Sequence, residues 1–312
     1  MNKEKLIATR ESYGKAITEL CSKYEDLVVL DADLAAATKT GVFKAKYPER
    51  FFDCGIAEAN MIGVAAGLAS TGKIPVASSF AMFAAGRAFE QVRNSVGYPK
   101  LNVKICATHA GLSVGEDGAT HQCNEDIALM RTIPGMTVIC PCDDLETKYA
   151  VKAALDTKGP FYIRLSRLAS AQINEEGYQF KLGKGVTVRE GKDITIIATG
   201  LMVERALDAA EELSKENIDA RVINIHTIKP IDEEIIIKAA KETKGIVVAE
   251  EHSKIGGLTS AVCDVLCKNC PTRVESVSVN DEFGMSGPAK QVLDFYGLNS
   301  ENIIAKAKEI LK

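Results

Sequence analysis

The chain has 312 residues, of which 46% are hydrophobic and 26% are charged, and its formal net charge at pH 7 is -4. This composition is typical of a globular protein with one large or two ordinary domains, and it provides no basic field for nucleic acid. We find no apolar run of the ~20 residues that a membrane span needs and no signal peptide, so we expect a cytoplasmic protein. The nine cysteines are an odd number, which favours reduced thiols over a disulfide framework.

Short apolar runs alternate with helical patterns along the whole chain. Strands are predicted at 27–30, 74–78, 102–107, 136–140, 160–164, 194–198, 220–225, 245–250 and 273–279. Helices are predicted at 11–23, 57–70, 86–97, 144–156, 202–216, 232–243, 257–268 and 300–311. Because continuous apolar strands separated by helices favour parallel sheets covered on both faces, we predict an α/β fold.

A polar, glycine-rich stretch around residues 166–192 interrupts this alternation. Such a change in composition is typical of a connection between domains. We therefore predict a first domain of residues 1–168, a linker of residues 169–190 and a second domain of residues 191–312, each a mostly parallel sheet covered by helices.

Glu58 lies in the first turn of a predicted helix that is rich in small residues. An acid at a helix start is commonly explained by the helix dipole alone. Here the apolar neighbours Ile56 and Ala57 predict a partly desolvated carboxylate, which favours a protonated or proton-sharing form. That property suits the activation of a buried heteroaromatic nitrogen.

Phe80 and Phe83 are spaced i, i+3 just after a predicted strand. Aromatic residues at this spacing are often part of a helix's core face. They can equally form a flat apolar slot for a planar ring, and the sequence leaves both interpretations open.

The densest polar segment places His109 and His121 on either side of Glu116 and Asp117 in a glycine-rich loop. A hard metal site would contain more carboxylates, and a zinc site closer histidines, so we predict no metal here. Histidines alternating with acids suit hydrogen bonds to a polyhydroxylated substrate and proton transfer near neutral pH.

Arg10 and Arg167 each flank the end of a predicted helix or strand. A single arginine is more often a surface salt-bridge partner, but arginine is also the usual side chain that binds phosphate.

Four segments of the first domain resemble transketolases. They are IATRESYGKAI at 7–17, GIAEANM at 55–61, SSFAMF at 78–83 and THAGLSVGEDGATHQ at 108–122. The second domain carries further similar segments, including ATGLMVERALDAAEEL at 198–213 and VINIHTIKPID at 222–232. The resemblance implies a pyrimidine-binding domain followed by a transketolase C-terminal domain. It also implies ketol transfer from a ketose phosphate to an aldose phosphate in the pentose phosphate pathway.

The resemblance assigns the cofactor side of the site. Glu58 matches the glutamate that hydrogen-bonds the aminopyrimidine of thiamine diphosphate and acts in catalysis. Phe80 and Phe83 match the aromatic residues that stack on that ring, and Ile56 lies beside them as a further cofactor contact.

The resemblance also assigns the substrate side. His121 and Asp117 match residues that contact the ketose hydroxyls, with His121 also a proton carrier. His109, Arg10 and Arg167 match residues that hold the substrate phosphate.

The chain departs from the family pattern in two places. Asp31 stands where transketolases usually have a phosphate-binding serine, and Lys39 is the nearby cation that would offset its charge. The GDG motif and the later asparagine that hold Mg²⁺ and diphosphate are absent. The resemblance therefore implies a separate N-terminal subunit, which supplies that half of the site in a two-plus-two heterotetramer.

Other protein classes remain as alternatives. The nearest are the C-terminal part of a deoxyxylulose-phosphate synthase, the β subunit of a 2-oxo acid dehydrogenase, and an inert scaffolding subunit. Cys263, Cys267 and Cys270 also form a C-x3-C-x2-C pattern, but the first two are spaced i, i+4 and are predicted to face a helix core rather than an iron–sulfur cluster. The second domain, with His226 and His252 in predicted strand-end loops, is expected to serve dimer contacts.

Overall fold

The computed structural model describes residues 1–312. The strands are β1 (Asn2–Ala8), β2 (Leu27–Asp31), β3 (Phe51–Asp53), β4 (Ile74–Phe80), β5 (Lys104–Thr108), β6 (Thr137–Ile139), β7 (Phe161–Arg164), β8 (Ala169–Gln172), β9 (Val186–Arg189), β10 (Ile194–Ala198), β11 (Ala220–Asn224), β12 (Thr227–Lys229), β13 (Ile246–Ser253) and β14 (Val274–Val279).

The α-helices lie between these strands and at the C-terminus. They are α1 (Thr9–Leu20), α2 (Ala35–Thr38), α3 (Gly41–Lys46), α4 (Glu58–Ser70), α5 (Phe89–Gln91), α6 (Asp126–Thr132), α7 (Asp144–Asp156), α8 (Met202–Lys215), α9 (Glu233–Glu242), α10 (Leu258–Asn269), α11 (Ala289–Phe295) and α12 (Ser300–Leu311). None of them combines the length and the apolar character that crossing a membrane would require.

Two mostly parallel sheets organise the chain. The first has seven strands in the order β12-β6-β7-β5-β4-β2-β3, and only β12 runs antiparallel to its neighbour. The second has five strands in the order β14-β13-β10-β11-β9, in which only β9 is antiparallel. The predicted α/β fold with two mostly parallel sheets is confirmed.

Three short strands connect the predicted domains and the predicted linker to one another. Strand β8 begins inside the predicted linker and pairs with β1, and β9 near the end of that linker joins the second sheet. Strand β12 comes from the predicted second domain but completes the edge of the first sheet. Each of these short strands covers backbone groups that an open sheet edge would leave unpaired.

Hydrophobic packing also joins the two halves. One buried cluster contains Ile105 and Met130 from the first half together with Ile223 and Val248 from the second. Because side chains of both halves pack into this one cluster, the two halves are held in contact with each other.

Several predicted elements differ in detail. The helix predicted at 86–97 is instead two π-helical segments, 82–87 and 92–97, with α5 between them. Strand β1 and the short helices α2 and α3 were not predicted. Strand β1 is largely exposed, so it lacks the apolar run that would reveal it.

The cysteines are free, and five of the nine are buried. The expectation that Cys267 faces a core is wrong, because this residue is exposed and Cys263 is only half-buried. The core stripe of α10 consists of Leu258, Ala261, Val262, Val265 and Leu266. No three His, Cys, Asp or Glu side chains are arranged to hold a metal ion.

Candidate active site

The predicted site residues meet at the carboxyl ends of the parallel strands of the first sheet. Phe80 ends β4, His109 follows β5, and Arg167 lies three residues after β7. Arg10 belongs to the first turn of α1, and Glu58 is the first residue of α4. Ligands bind at this edge in open α/β sheets, because the loops after neighbouring strands converge there.

Glu58 is buried, with 1% of its side chain exposed, but it is not surrounded only by apolar groups. Ser79 Oγ donates to its Oε1 at 3.2 Å, and Arg87 Nη1 donates to its Oε2 at 2.9 Å. Neither donor was predicted from the sequence, and together they satisfy the hydrogen-bonding needs of a buried carboxyl group.

Arg87 makes two contacts at once. Besides its ion pair with Glu58, its guanidinium carbon lies 4.4 Å from the centroid of the Phe83 ring. Half of the arginine side chain is exposed. The Arg87 guanidinium thus contacts both groups that are predicted to contact the aminopyrimidine, the Glu58 carboxylate and the face of the Phe83 ring.

The two phenylalanines have different environments. Their rings are nearly parallel, with centroids 5.9 Å apart, but Phe80 is buried against the His109 imidazole at 3.8 Å. Phe83 is half-buried and meets the His121 ring edge-on at 5.4 Å. Phe80 thus fits the core interpretation, and Phe83 is the better placed of the two to contact a ligand ring. Ile56 is 78% exposed and lies just before α4.

His109 has a fixed tautomer. Its Nε2 lies 2.9 Å from Arg10 Nη1, and its Nδ1 lies 2.8 Å from Thr108 Oγ1. Because a guanidinium can only donate, Nε2 must accept, and the ring proton therefore resides on Nδ1. Burial, followed by the charges of Arg10 and Arg167, lowers the pKa of His109 to about 3, so the ring is neutral.

The arginine pair has unused donor capacity. Arg10 Nη1 also donates to Ala37 O at 3.1 Å, but its buried Nε has no partner. Burial, together with the nearby charge of Arg167, lowers the pKa of Arg10. Two close cations with an unpaired buried N–H are the arrangement that an anion such as phosphate would stabilise.

Arg167 is held by the glycine-rich loop itself. Its Nη1 donates to Val114 O and to Glu116 Oε2, the latter at 3.1 Å. On the same loop Asp117 is exposed, and His121 is half-buried with its Nδ1 3.0 Å from Thr120 Oγ1. The structure brings the predicted substrate residues together on one loop and its immediate neighbours.

Asp31, which replaces the family's usual serine, is paired within its own turn. It is fully buried and accepts hydrogen bonds from Leu34 N at 2.6 Å, Thr38 Oγ1 at 2.7 Å and Thr40 Oγ1 at 2.8 Å. Burial raises its pKa. The aspartate therefore organises the turn after β2, while Lys39 lies 3.9 Å from Glu11.

The second domain contacts the site, which the sequence did not indicate. Glu251 Oε1 accepts from Ser113 N at 2.6 Å, and Gln122 Nε2 donates to Met285 O at 2.9 Å. His252 lies within β13 rather than in a loop, and it is fully buried. No local sequence pattern predicts the Glu251–Ser113 and Gln122–Met285 contacts, because the two residues of each pair are more than 100 residues apart.

Two family models match the chain. The transketolase pyrimidine binding domain matches residues 5–172, and the transketolase C-terminal domain matches residues 183–303. The chain belongs to the transketolase family. The resemblance of the four motifs is thereby confirmed, and with it the α/β architecture of both halves.

Individual relatives agree with this membership. A solved structure described as a split gene transketolase, inactive beta4 tetramer, is 50% identical, covers 98% of both chains and has a TM-score of 0.89. A 6-deoxy-6-sulfo-D-fructose transketolase subunit of Clostridium sp. strain MSTE9 is 45% identical over 96% of this chain and 94% of its own. Human transketolase is 36% identical over 98% of this chain but only 49% of its own length. This chain therefore matches relatives of similar length and also spans about half the length of human transketolase.

Proposed function

We propose that this chain is one subunit of a two-chain, thiamine diphosphate-dependent transketolase of the pentose phosphate pathway. It transfers a two-carbon ketol unit from a ketose phosphate to an aldose phosphate. The observation that carries the proposal is that Glu58, Phe83, Arg10 and Arg167 all lie at the carboxyl-end edge of the first sheet in a transketolase-family chain.

The residues present fit the pyrimidine half of the cofactor. Glu58 offers a buried carboxylate as hydrogen-bond acceptor, Phe83 a ring face, and Ile56 an exposed apolar surface. When bound, thiamine diphosphate supplies the carbanion chemistry, and the protein orients it. The split-gene transketolase relative supports assigning Mg²⁺ and diphosphate to an N-terminal subunit, in a two-plus-two heterotetramer.

The substrate residues act by binding and by proton handling. Arg10 and Arg167 bind the phosphate, and neutral His109 holds Arg10 in place through Nε2. Asp117 and His121 bind the ketose hydroxyls, with His121 Nε2 available to move a proton.

A sulfonated ketose is a second candidate substrate. It is favoured by the 45% identity to the 6-deoxy-6-sulfo-D-fructose transketolase subunit. A sulfonate presents the same arrangement of anionic oxygens to the two arginines as a phosphate does.

The test is ketol transfer by this chain, alone and mixed with its N-terminal subunit, in wild-type and Glu58→Ala forms. We expect no activity from the isolated chain, activity from the mixture, and a loss of about 100-fold or more in kcat for the variant. Glu90→Ala is the control, because Glu90 is exposed and its side chain bonds only to Gln91 and Asn94.

Robust activity from the isolated chain would contradict the two-chain proposal. A fully active Glu58→Ala mixture would contradict the role of Glu58. Decarboxylation of pyruvate in place of ketol transfer would instead favour a deoxyxylulose-phosphate synthase or a 2-oxo acid dehydrogenase.

A further inference from the structure

One buried carboxylate of the second domain, Glu251, hydrogen-bonds the glycine-rich loop of residues 111–118. We propose that Glu251 is a positioning residue, which fixes this loop and thereby the side chains that contact the sugar phosphate. The inference deepens the proposed ketol transfer and rests on it. It also replaces the expectation that the second domain serves only dimer contacts.

Glu251 is held rigidly from both sides. It lies in β13 with 3% of its surface exposed, and its Oε1 accepts from Ser113 N at 2.6 Å. Its backbone oxygen accepts from Arg164 Nη2 at 2.8 Å, and Arg164 in turn pairs with buried Asp126 at 2.9 Å. A buried carboxylate anchored in this way offers its acceptor at a fixed point.

The backbone of the loop lies directly against the Glu251 carboxyl group at Gly111. Gly111 has a φ of 77°, in the left-handed region, and a Cβ there would overlap the carboxyl group of Glu251. Only glycine satisfies both requirements, because it lacks the Cβ that would clash and tolerates positive φ. The loop conformation is thus matched to the carboxylate.

Further contacts extend along the loop. Gln122 Nε2 donates to Met285 O at 2.9 Å, and a Cβ on Gly118 would overlap the Ser286 side chain. Gly115 likewise leaves no free space, since its Cβ position lies 3.2 Å from Gly287 O. The second domain therefore contacts the loop at several positions from Gly111 to Gly118, and not only at Ser113.

The loop carries the substrate side of the site. Val114 O and Glu116, directly after Ser113, hold the Arg167 guanidinium. Asp117 and His121 follow on the same segment. A displacement of Ser113 should therefore disturb the arginine and the hydroxyl-binding residues, while Glu58 and Phe83 on other elements stay in place.

The test compares two substitutions that differ in one acceptor. In Glu251→Gln the carboxamide oxygen can still accept from Ser113 N, whereas Glu251→Met has similar length and no such acceptor. Glu250→Gln is the matched control. Glu250 is the preceding residue of β13 and is also buried, but its carboxylate accepts from Leu258 N and Thr259 N within the second domain.

Each variant is assembled with the N-terminal subunit. The measurements are kcat and KM for a ketose phosphate and for a ketose lacking the phosphate, thiamine diphosphate affinity, and hydrogen exchange of the loop amides. For Glu251→Met we expect kcat/KM for the ketose phosphate to fall about 10-fold or more, because a buried N–H loses its acceptor. We also expect faster exchange at residues 112–118 and unchanged cofactor affinity.

Glu251→Gln should retain most of the wild-type activity, and Glu250→Gln should lower the thermal midpoint without raising KM. An unchanged KM and unchanged loop exchange in Glu251→Met would overturn the inference, as would an equal KM effect in Glu250→Gln. If Glu251→Met does not fold, Glu251→Asp replaces it, since a side chain one methylene shorter cannot reach Ser113 N.

Absence of ketol transfer by the wild-type assembly would contradict the proposed function instead. Loop exchange would then still decide whether Glu251 fixes the loop, so the two failures are distinguishable.

Discussion

The surface near Glu58, at Phe52, Ile56 and Arg87, is exposed to solvent, and we call it the open side of the site. The loop that holds Arg167 is covered by the second domain, and we call it the closed side. Ile56 is 78% exposed and Phe52 42% exposed near the start of α4, and half of the Arg87 side chain is in solvent. The loop that holds Arg167 is instead packed against the second domain through Glu251. In the proposed function, this exposed surface is the one that an N-terminal subunit would cover.

The two sides therefore differ in how much of the site this chain supplies by itself. The substrate-binding side is largely organised within this chain, because both domains contact it. The cofactor side offers one carboxylate and one ring face, with an intramolecular cation on both of them. In the proposed function, the cofactor ring would take the place of the Arg87 guanidinium on these two groups, and an N-terminal subunit would cover the other side of the ring.

The largest effect should follow from removing a cation on the closed side. Arg167→Met should lower kcat/KM for a ketose phosphate by about 100-fold, because hydrogen bonds to a charged partner are the strong ones. A ketose without the phosphate should be affected far less. Steady-state kinetics of the assembled enzyme with the two substrates measures the contrast.

Arg273→Met provides the control, since Arg273 is an exposed arginine paired with Glu275 and Glu309 far along the chain. Equal losses for both substrates in Arg167→Met would mean that this arginine supports the loop and does not bind phosphate.

The sequence predicted the parts of the site that local patterns encode. Apolar runs located the central strands, and polar residues after them located His109 and Arg167, because neighbouring parallel strands share one edge. Glu58 was recognisable as an acid at the start of a small-residue helix. Each of these predictions depends on a few adjacent residues.

The parts that the sequence missed depend on distant partners. Arg87 ends a π-helical segment that the sequence did not predict, and it reaches Glu58, which lies 29 residues earlier in the chain. π-helical turns of this kind often occur at functional sites. Glu251 lies 138 residues from Ser113, so no periodicity relates them. The sequence left the role of Asp31 open, because residue type alone does not reveal that three donors from its own turn bond to its oxygens.

A smaller effect should follow from removing the cation on the open side. Arg87→Met should tighten thiamine diphosphate binding to the assembled enzyme by about 5- to 10-fold, the combined value of a half-exposed ion pair and a cation–π contact. The substitution frees the Glu58 oxygen and the Phe83 face before the cofactor arrives. Calorimetric titration of the assembled enzyme measures this affinity without relying on turnover.

Arg93→Met is the control, because Arg93 lies in the next π-helical segment and its side chain bonds only to Asn94. Weaker cofactor binding in Arg87→Met would show that the arginine assists the ring and does not compete with it.

The smallest effect concerns pH and the neutral state of His109. The folded pKa of about 3 lies below the ordinary value of 6.5, so the unfolded chain binds the extra proton first as pH falls. The stability that this histidine contributes is therefore present above pH 6.5 and is lost progressively toward pH 3. Between pH 6.5 and 5.5 the loss should be about 1 kcal/mol.

His109→Asn should remove that part of the pH dependence, which urea denaturation at a fixed chain concentration can measure at both pH values. His226, whose pKa burial also lowers, contributes in the same direction and remains in both proteins. The change in the free energy of unfolding with pH should therefore become smaller in His109→Asn but should not vanish. An unchanged slope would show that His109 has the same pKa in the folded and the unfolded chain. Below that pKa its charged ring would repel Arg10 instead of accepting a hydrogen bond from it.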